Sequence, residues 1–326
     1  MRLATGDTAL NHPAAYRKLN PMKRILIALV AGGSVAQATE RYPEKPFARM
    51  VDIPEQGQLV VTPWFTYSAF QSYWQGTHEV DLSRGDLEYD VEYYRGMVEL
   101  EYAFHPKWAL DLTVGYVDQA TRCFNEEGSV EKSSGLMDVT FGMRYVVTRE
   151  SAESRWTPDF TVRVGGIVPG SYDEEFPFAP GLGEVGIEPA AYARKTIWGR
   201  EGDYAGGLFA SAGYRHMVSY APDSILLGAG FFQRVGPFTA FAGWRQQQAL
   251  SGPDVSADAT TADPYDVTYT NRMKEMNYMA EWGGTYQLKN GMLLQFYMNS
   301  NFDGRNTGEK LTYSGAISIP FQLFNR

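Results

Sequence analysis

The sequence predicts an all-β fold: a transmembrane, antiparallel, up-and-down β-barrel of about twelve strands, with short periplasmic turns and longer extracellular loops. Three observations predict it. An export signal lies near the N-terminus, the region beyond alternates with a period of two, and its connections alternate between short and long.

The signal comes first. Met22-Lys23-Arg24 is a short basic start, Ile25 to Ala31 is an apolar run, and Ala36-Gln37-Ala38 is an A-x-A site that would release Thr39. That is the layout of a secretory signal peptide, and its apolar run is too short to span a membrane as a helix. The expected organisation is a non-native upstream extension over 1–21, a signal peptide over 22–38, a periplasmic lead over 39–57 and the barrel over 58–326. Past residue 38 no apolar run approaches the roughly 18 residues that a helical span needs.

Composition agrees. The chain holds 33 Gly, 21 Tyr, 18 Phe and 7 Trp, yet its mean hydropathy is negative. A membrane barrel needs this balance, because half of each strand faces lipid and half faces the lumen. Of the 29 basic and 38 acidic residues, five and one fall in 1–38, which leaves 24 against 37, a net charge of −13. Nucleic acid is not an expected partner of so acidic a chain. The single cysteine, Cys123, cannot make an internal disulfide.

The period of two is explicit in several segments. Trp108, Leu110, Leu112, Val114 and Tyr116 form one face, opposite Ala109, Asp111, Thr113 and Gly115. Met137, Val139, Phe141, Met143 and Tyr145 alternate with Asp138, Thr140, Gly142 and Arg144, and Ile317, Ile319, Phe321 and Leu323 with Ala316, Ser318, Pro320 and Gln322. Strands are expected near 58–70, 88–104, 107–120, 134–148, 156–168, 184–197, 203–215, 223–235, 237–250, 268–287, 290–302 and 310–324. Short turns at 105–107, 149–155, 199–202, 236–237 and 289–291 alternate with connections that are mostly longer, such as 71–87, 121–133, 169–183 and 251–267. Outer-membrane barrels show this asymmetry, and an even strand count puts both termini at the short-turn end. A soluble sandwich also alternates in two, but it would not need so many long consecutive hairpins.

If the aromatic face meets lipid, the opposite face lines the lumen. Charges concentrate there: Arg95, Glu99, Glu101, Asp111, Asp138, Arg144, Arg163, Glu184, Glu188, Arg194, Arg215, Arg234, Arg245, Glu275 and Glu281. Facing hydrocarbon would cost each several kcal/mol at mid-depth. Gly142-x-Arg144, Gly213-x-Arg215 and Gly243-x-Arg245 suggest glycines that clear space beside a guanidinium. The set is either a charged constriction that filters solutes or a salt-bridged polar core.

Other motifs offer little chemistry. Gly181-Leu182-Gly183-Glu184-Val185-Gly186 matches G-x-G-x-x-G, but a strand is expected after it and not the helix that receives pyrophosphate. The glycines are expected to relieve crowding where a long loop returns to the barrel. His12, His78, His105 and His216 have neither triad nor zinc spacing, so no catalytic residue, cofactor or metal is expected. Asp173-Glu174-Glu175 reads as a solvated loop. Trp64, Tyr102, Trp108, Trp156, Trp198, Trp244 and Phe324 are expected to form interfacial girdles.

Ser134-Gly135-Leu136-Met137-Asp138-Val139 followed by Arg144-Tyr145 resembles the G-L-G-D-V and K/R-Y signature of a bacterial family named for the MetA pathway of phenol degradation. Val168-Pro169-Gly170, Gly213-Tyr214-Arg215 and Ala221-Pro222-Asp223 resemble its later elements, in order, across roughly 134–250. The resemblance implies an outer-membrane transport barrel for small solutes, with aromatic or apolar compounds as candidate cargo. The expected protein is thus a passive channel and not an enzyme, a monomer among outer-membrane lipid and lipopolysaccharide. The alternatives are a structural or adhesive barrel acting through its extracellular loops, and an outer-membrane lipid-modifying enzyme. Outer-membrane phospholipases share the strand number, but their H-x-S arrangement is absent here.

Overall fold

A computed structural model of the chain describes residues 50–81, 89–123, 130–151, 156–173, 179, 181–200, 204–253 and 273–324. The expected extension, the signal peptide and the lead as far as residue 49 lie outside these residues, as do Glu174 and Glu175.

Fourteen strands are present among the described residues: β1 (Gln58–Gln75), β2 (His78–Asp81), β3 (Tyr89–His105), β4 (Trp108–Cys123), β5 (Val130–Leu136), β6 (Val139–Thr148), β7 (Asp159–Val168), β8 (Gly186–Arg200), β9 (Tyr204–Met217), β10 (Ser224–Val235), β11 (Phe238–Ala249), β12 (Met276–Gln287), β13 (Leu293–Arg305) and β14 (Thr307–Gln322). Each pairs antiparallel with its neighbour, and β14 returns to pair with β1 from Gln58↔Gln322 to Trp74↔Thr307, which closes the sheet. β5 and β6 lie end to end against β4 and make one stave, while β2 is a short hairpin strand on the end of β1. The result is a closed barrel of twelve staves.

Closure follows from the alternation. Large apolar side chains such as Phe65, Leu110, Phe141, Val164, Leu208, Phe231 and Phe296 stand exposed on the outer wall. Inside, each strand presents the intervening residues: Thr62, Thr66 and Ser68 on β1, Arg163 on β7, Gln247 on β11, Asn299 and Asn301 on β13, and Thr312 and Ser314 on β14, all buried. The β14–β1 pairing closes the twelve staves on one another, so that across the membrane their backbone groups bond within the sheet, while β2 and β5 each pair on one side only at the loop end.

Several boundaries differ from expectation. β1 runs on to Gln75, past the expected end at 70, and β13 and β14 extend until one residue, Asn306, joins them at φ 50°. Asparagine tolerates this left-handed conformation better than most residues. Residues 273–275, expected in strand, precede β12, and 254–272 lie outside the described residues. The stave expected at 134–148 is broken at Met137-Asp138, where the inward phase changes from odd residues (Ser133, Gly135) to even ones (Arg144, Val146). Met137 therefore packs on interior clusters and not on the lipid face. Trp64 also departs from the expected girdle: it is buried beside Met97 and Ala316, and its indole N–H donates to Glu99 (3.3 Å). Trp156 and Phe324 do stand exposed at the turn end.

Placing a cation on the outer wall tests its orientation. Val164→Arg, near the middle of β7, should destabilise the barrel in phospholipid vesicles by about 2–4 kcal/mol. Urea-induced unfolding measures this, and an unchanged midpoint would place Val164 away from hydrocarbon.

Candidate functional site

An ion-pair network runs across neighbouring strands of the lumen wall. Glu101 (β3) pairs with Arg144 (β6), Arg144 approaches Asp111 (β4) at 3.4 Å, and Arg163 (β7) binds Asp111 at 2.7 Å. Arg163 also lies 3.7 Å from Glu188 (β8), which pairs with Arg215 (β9) at 2.6 Å. Three acids and three arginines thus form one chain of contacts of alternating sign over β3, β4, β6, β7, β8 and β9. Arg144 and Arg163 are direct cross-strand partners, a repulsive placement that Asp111 between them offsets. All six are nearly sealed from solvent, so each charge depends on its neighbours.

Glycines shape this wall differently from expectation. A Cβ on Gly142 would sit 2.7 Å from the guanidinium of Arg163 on the next strand, and Gly165 is likewise covered by Arg163. The room is therefore made for Arg163 and not for Arg144. Gly243 and Gly230 are overlaid by the Phe209 ring, and Gly213 faces Ala190, so the recurring Gly-x-Arg pattern has no single physical role.

An apolar patch begins on β8 and β9, which it shares with this network, and continues to β13. Tyr192, Phe209, Leu226, Phe232, Phe241, Met279 and Tyr297 form an interior cluster, and Met50 and Val51 of the lead are buried within it. The lead enters from the turn end and is held by its backbone: the Thr161 hydroxyl (2.8 Å) and Arg149 (3.2 Å) donate to the Val51 carbonyl, and Arg144 donates to the Asp52 carbonyl (2.8 Å). Arg194 grips the Asp52 carboxylate through both terminal nitrogens (2.7 and 2.8 Å) and also binds Asp159 (2.9 Å). Below the lead a cavity of about 840 Å³ opens, lined among others by Asp52, Glu101, Arg194, Phe232, Arg234, Thr239 and Thr285.

The remaining expected residues serve other purposes. Arg245 pairs with Glu281 (2.6 Å), which Tyr297 also contacts (3.1 Å). Glu275 accepts from Asn277 (2.7 Å) and Thr307 (3.1 Å), and Arg95 is buried on the same inner face. Asp138 accepts from the N–H of Gly170 (3.1 Å) and Leu182 (2.6 Å) and from the Tyr172 hydroxyl (2.8 Å). It therefore ties the loop after β7 into the barrel mouth, where Tyr172 and Ala179 join the cluster around Phe70 and Tyr93. Gly181 lies against Tyr172 and Asp138, which fits the expected relief of crowding, and Gly186 opens a strand and not a helix. Glu184, expected in the lumen, precedes β8 and accepts from the N–H of Tyr220 (2.7 Å) and Ala221 (3.1 Å). A carboxylate able to satisfy two loop amides settles there in preference to the wall.

Asp52, Asp159, Lys310 and the Met50-Val51 pair escaped sequence reasoning. Asp159 shares its face with Thr161 and Arg163, and Lys310 with Thr312 and Ser314, so strict extension of the alternation marks both. The lead has no period to read.

At the loop end, Asp223 accepts from Tyr214 (2.5 Å), His216 (3.1 Å) and the Met217 N–H (2.9 Å). Burial pushes its carboxyl up, but these hydrogen bonds outweigh it and hold the group below the ordinary aspartate value.

The fold matches that of known barrels. The chain superimposes on the COG4313 outer membrane channel from Pseudomonas putida F1 with a TM-score of 0.59 at 12% identity, over 86% of this chain and 100% of that one. The translocator domain of the autotransporter NalP from Neisseria meningitidis is more distant, with a TM-score of 0.44 at 12% identity over 92% and 94%. No protein-family model matches the chain, and no curated protein matches it in sequence. The chain has the fold of a bacterial outer-membrane β-barrel, and the apolar belt is the surface that such a membrane covers.

Two expected outcomes follow from these contacts. Arg245→Met leaves Glu281 buried without its cation and should cost about 3–5 kcal/mol in urea unfolding, most of it recovered in Arg245→Met/Glu281→Gln. The loop-end contacts carry a sign in pH: a lowered carboxyl stabilises the fold above its unfolded value and loses that contribution as pH falls through the folded one. Amide exchange at Met217, corrected for intrinsic rates, should therefore accelerate as the pH falls from about 5 to about 2. Asp223→Asn should abolish that dependence.

Proposed function

We propose that this barrel is a passive channel for small solutes, aromatic and other apolar-bodied compounds among them, and that the lead sets how far it opens. One observation carries the reading: an aromatic and aliphatic patch lines part of the inner wall, and what fills it is a chain segment and not the wall itself. A sealed structural barrel has no need of apolar surface in its lumen, whereas a pathway for apolar solutes does. The motifs shared with the MetA-pathway family support the same reading, and a channel of the same fold is known in Pseudomonas putida F1.

On this reading the six-residue charge network fixes the width of the lumen without giving it a sign, because its charges cancel in adjacent pairs. The protein acts as a monomer in outer-membrane lipid and is a channel, not an enzyme. Vesicles carrying the full chain should swell faster in small aromatic acids than in sugars of similar mass. Val51→Asp, which places a carboxylate in the apolar patch and loosens the lead, should raise single-channel conductance several-fold in planar bilayers. No swelling in any solute, with conductance absent in both proteins, would contradict a channel.

A further inference from the structure

The segment that fills the lumen has a composition of its own. Met50 and Val51 place apolar side chains among Tyr192, Phe209 and Phe232, while the adjacent Asp52 offers a carboxylate to Arg194. The pairing is bidentate, the geometry in which guanidinium recognises a carboxylate best. Phe232 belongs to both halves: it is part of the apolar cluster, it lines the cavity below, and the Arg194 guanidinium lies 5.9 Å from its ring centre.

A second cation stands in the same cavity. Arg234, on the inner face of β10, lines it together with Arg194, and its guanidinium makes no ion pair among the described residues. Of the three acids on the cavity lining, Asp52 pairs with Arg194 and Glu101 with Arg144, while Glu55 is exposed to solvent. Were Asp52 withdrawn, Arg194 would keep its pairing with Asp159, and the cavity would hold two arginines beside Phe232, with Glu55 and Glu101 also on its lining. At about 840 Å³ it has room for a small molecule.

From this geometry we infer that the lumen holds a binding site for small apolar monocarboxylates, and that Met50-Val51-Asp52 occupies it as a built-in mimic of that ligand. The carboxylate of an aromatic or short aliphatic acid takes the place of Asp52 on Arg194, with Arg234 alongside, and its apolar body takes the place of the Met50 and Val51 side chains. The inference rests on the channel reading for its biological setting, but binding is measured without transport. A ligand of this class and the lead are competitors, so weakening the hold of the lead strengthens the ligand. A site that recognised apolar bulk alone would not respond to the charge at residue 52.

Calorimetric titration of the full chain in a maltoside detergent provides the test, with 3-phenylpropionate and its neutral amide as probes. The acid should bind at least about tenfold more tightly than the amide, since only the acid engages the guanidinium in a charge-assisted pair. Asp52→Asn should tighten the acid by about tenfold and leave the amide nearly unchanged, with Asp159 still anchoring Arg194. Arg194→Met should erase the difference between the probes. Gain of affinity in Asp52→Asn cannot come from misfolding, which keeps the inference testable if Arg194→Met folds poorly. Equal binding of acid and amide, no binding of either, or weaker acid binding in Asp52→Asn would each overturn it. Swelling and conductance of the unaltered protein test the channel reading separately, so one can fail while the other stands.

Discussion

Inside a barrel of twelve strands there is too little room for a charge to stand apart from its neighbours and too little water to stabilise it there. Glu101, Arg144, Asp111, Arg163, Glu188 and Arg215 meet this constraint by touching one another in a chain of alternating sign over six staves of the wall. The rest of the lumen depends on that arrangement. Arg144 pairs with Glu101, approaches Asp111 and still donates to the lead, so the same guanidinium that stabilises the wall also fixes what lies across the lumen. Removing one member would strand its partners, whereas the network as a whole is neutral.

The lead is held in two ways: Arg144 and Thr161 bind its backbone carbonyls and Arg194 its Asp52 carboxylate, while the apolar cluster packs on its side chains. Neither contact alone would hold a short, irregular segment against the entropy of releasing it. At the other end of the barrel, Asp138 does for the loop after β7 what Arg144 and Thr161 do for the lead: it satisfies backbone groups that have left the ladder. Both intrusions are chain segments held by side chains of the wall, which makes them separable from the barrel without breaking its ladder.

The wall was legible in the sequence because a period of two admits only one assignment of faces once one face is known. Phe141 and Arg144 must lie on opposite sides, and they do. What escaped was everything that breaks the period for a reason outside its own strand. Met137 reads as a lipid-facing residue until the loop carrying Gly170 and Leu182 is seen to need an acceptor from Asp138 next to it. Trp64 reads as a girdle residue until Glu99 supplies a partner for its indole. The lead was invisible for a different cause: Met50 and Val51 owe their burial to a surface assembled from strands as far along the chain as β13, and no local pattern encodes that. The charged residues were found, but their pairing was not, since it depends on register between strands.

The proposed channel requires the lead to be a removable occupant of the lumen. Tethering tests this most directly: a cysteine at Val51 and another at Thr161, whose hydroxyl donates to the Val51 carbonyl, in a Cys123→Ser background. Current through a planar bilayer would then be recorded from the same preparation oxidised and reduced. A removable lead gives a shut channel when it is tethered and recovered conductance when the bond is reduced. Equal current in the two states would mean that the path, if there is one, does not run where the lead lies.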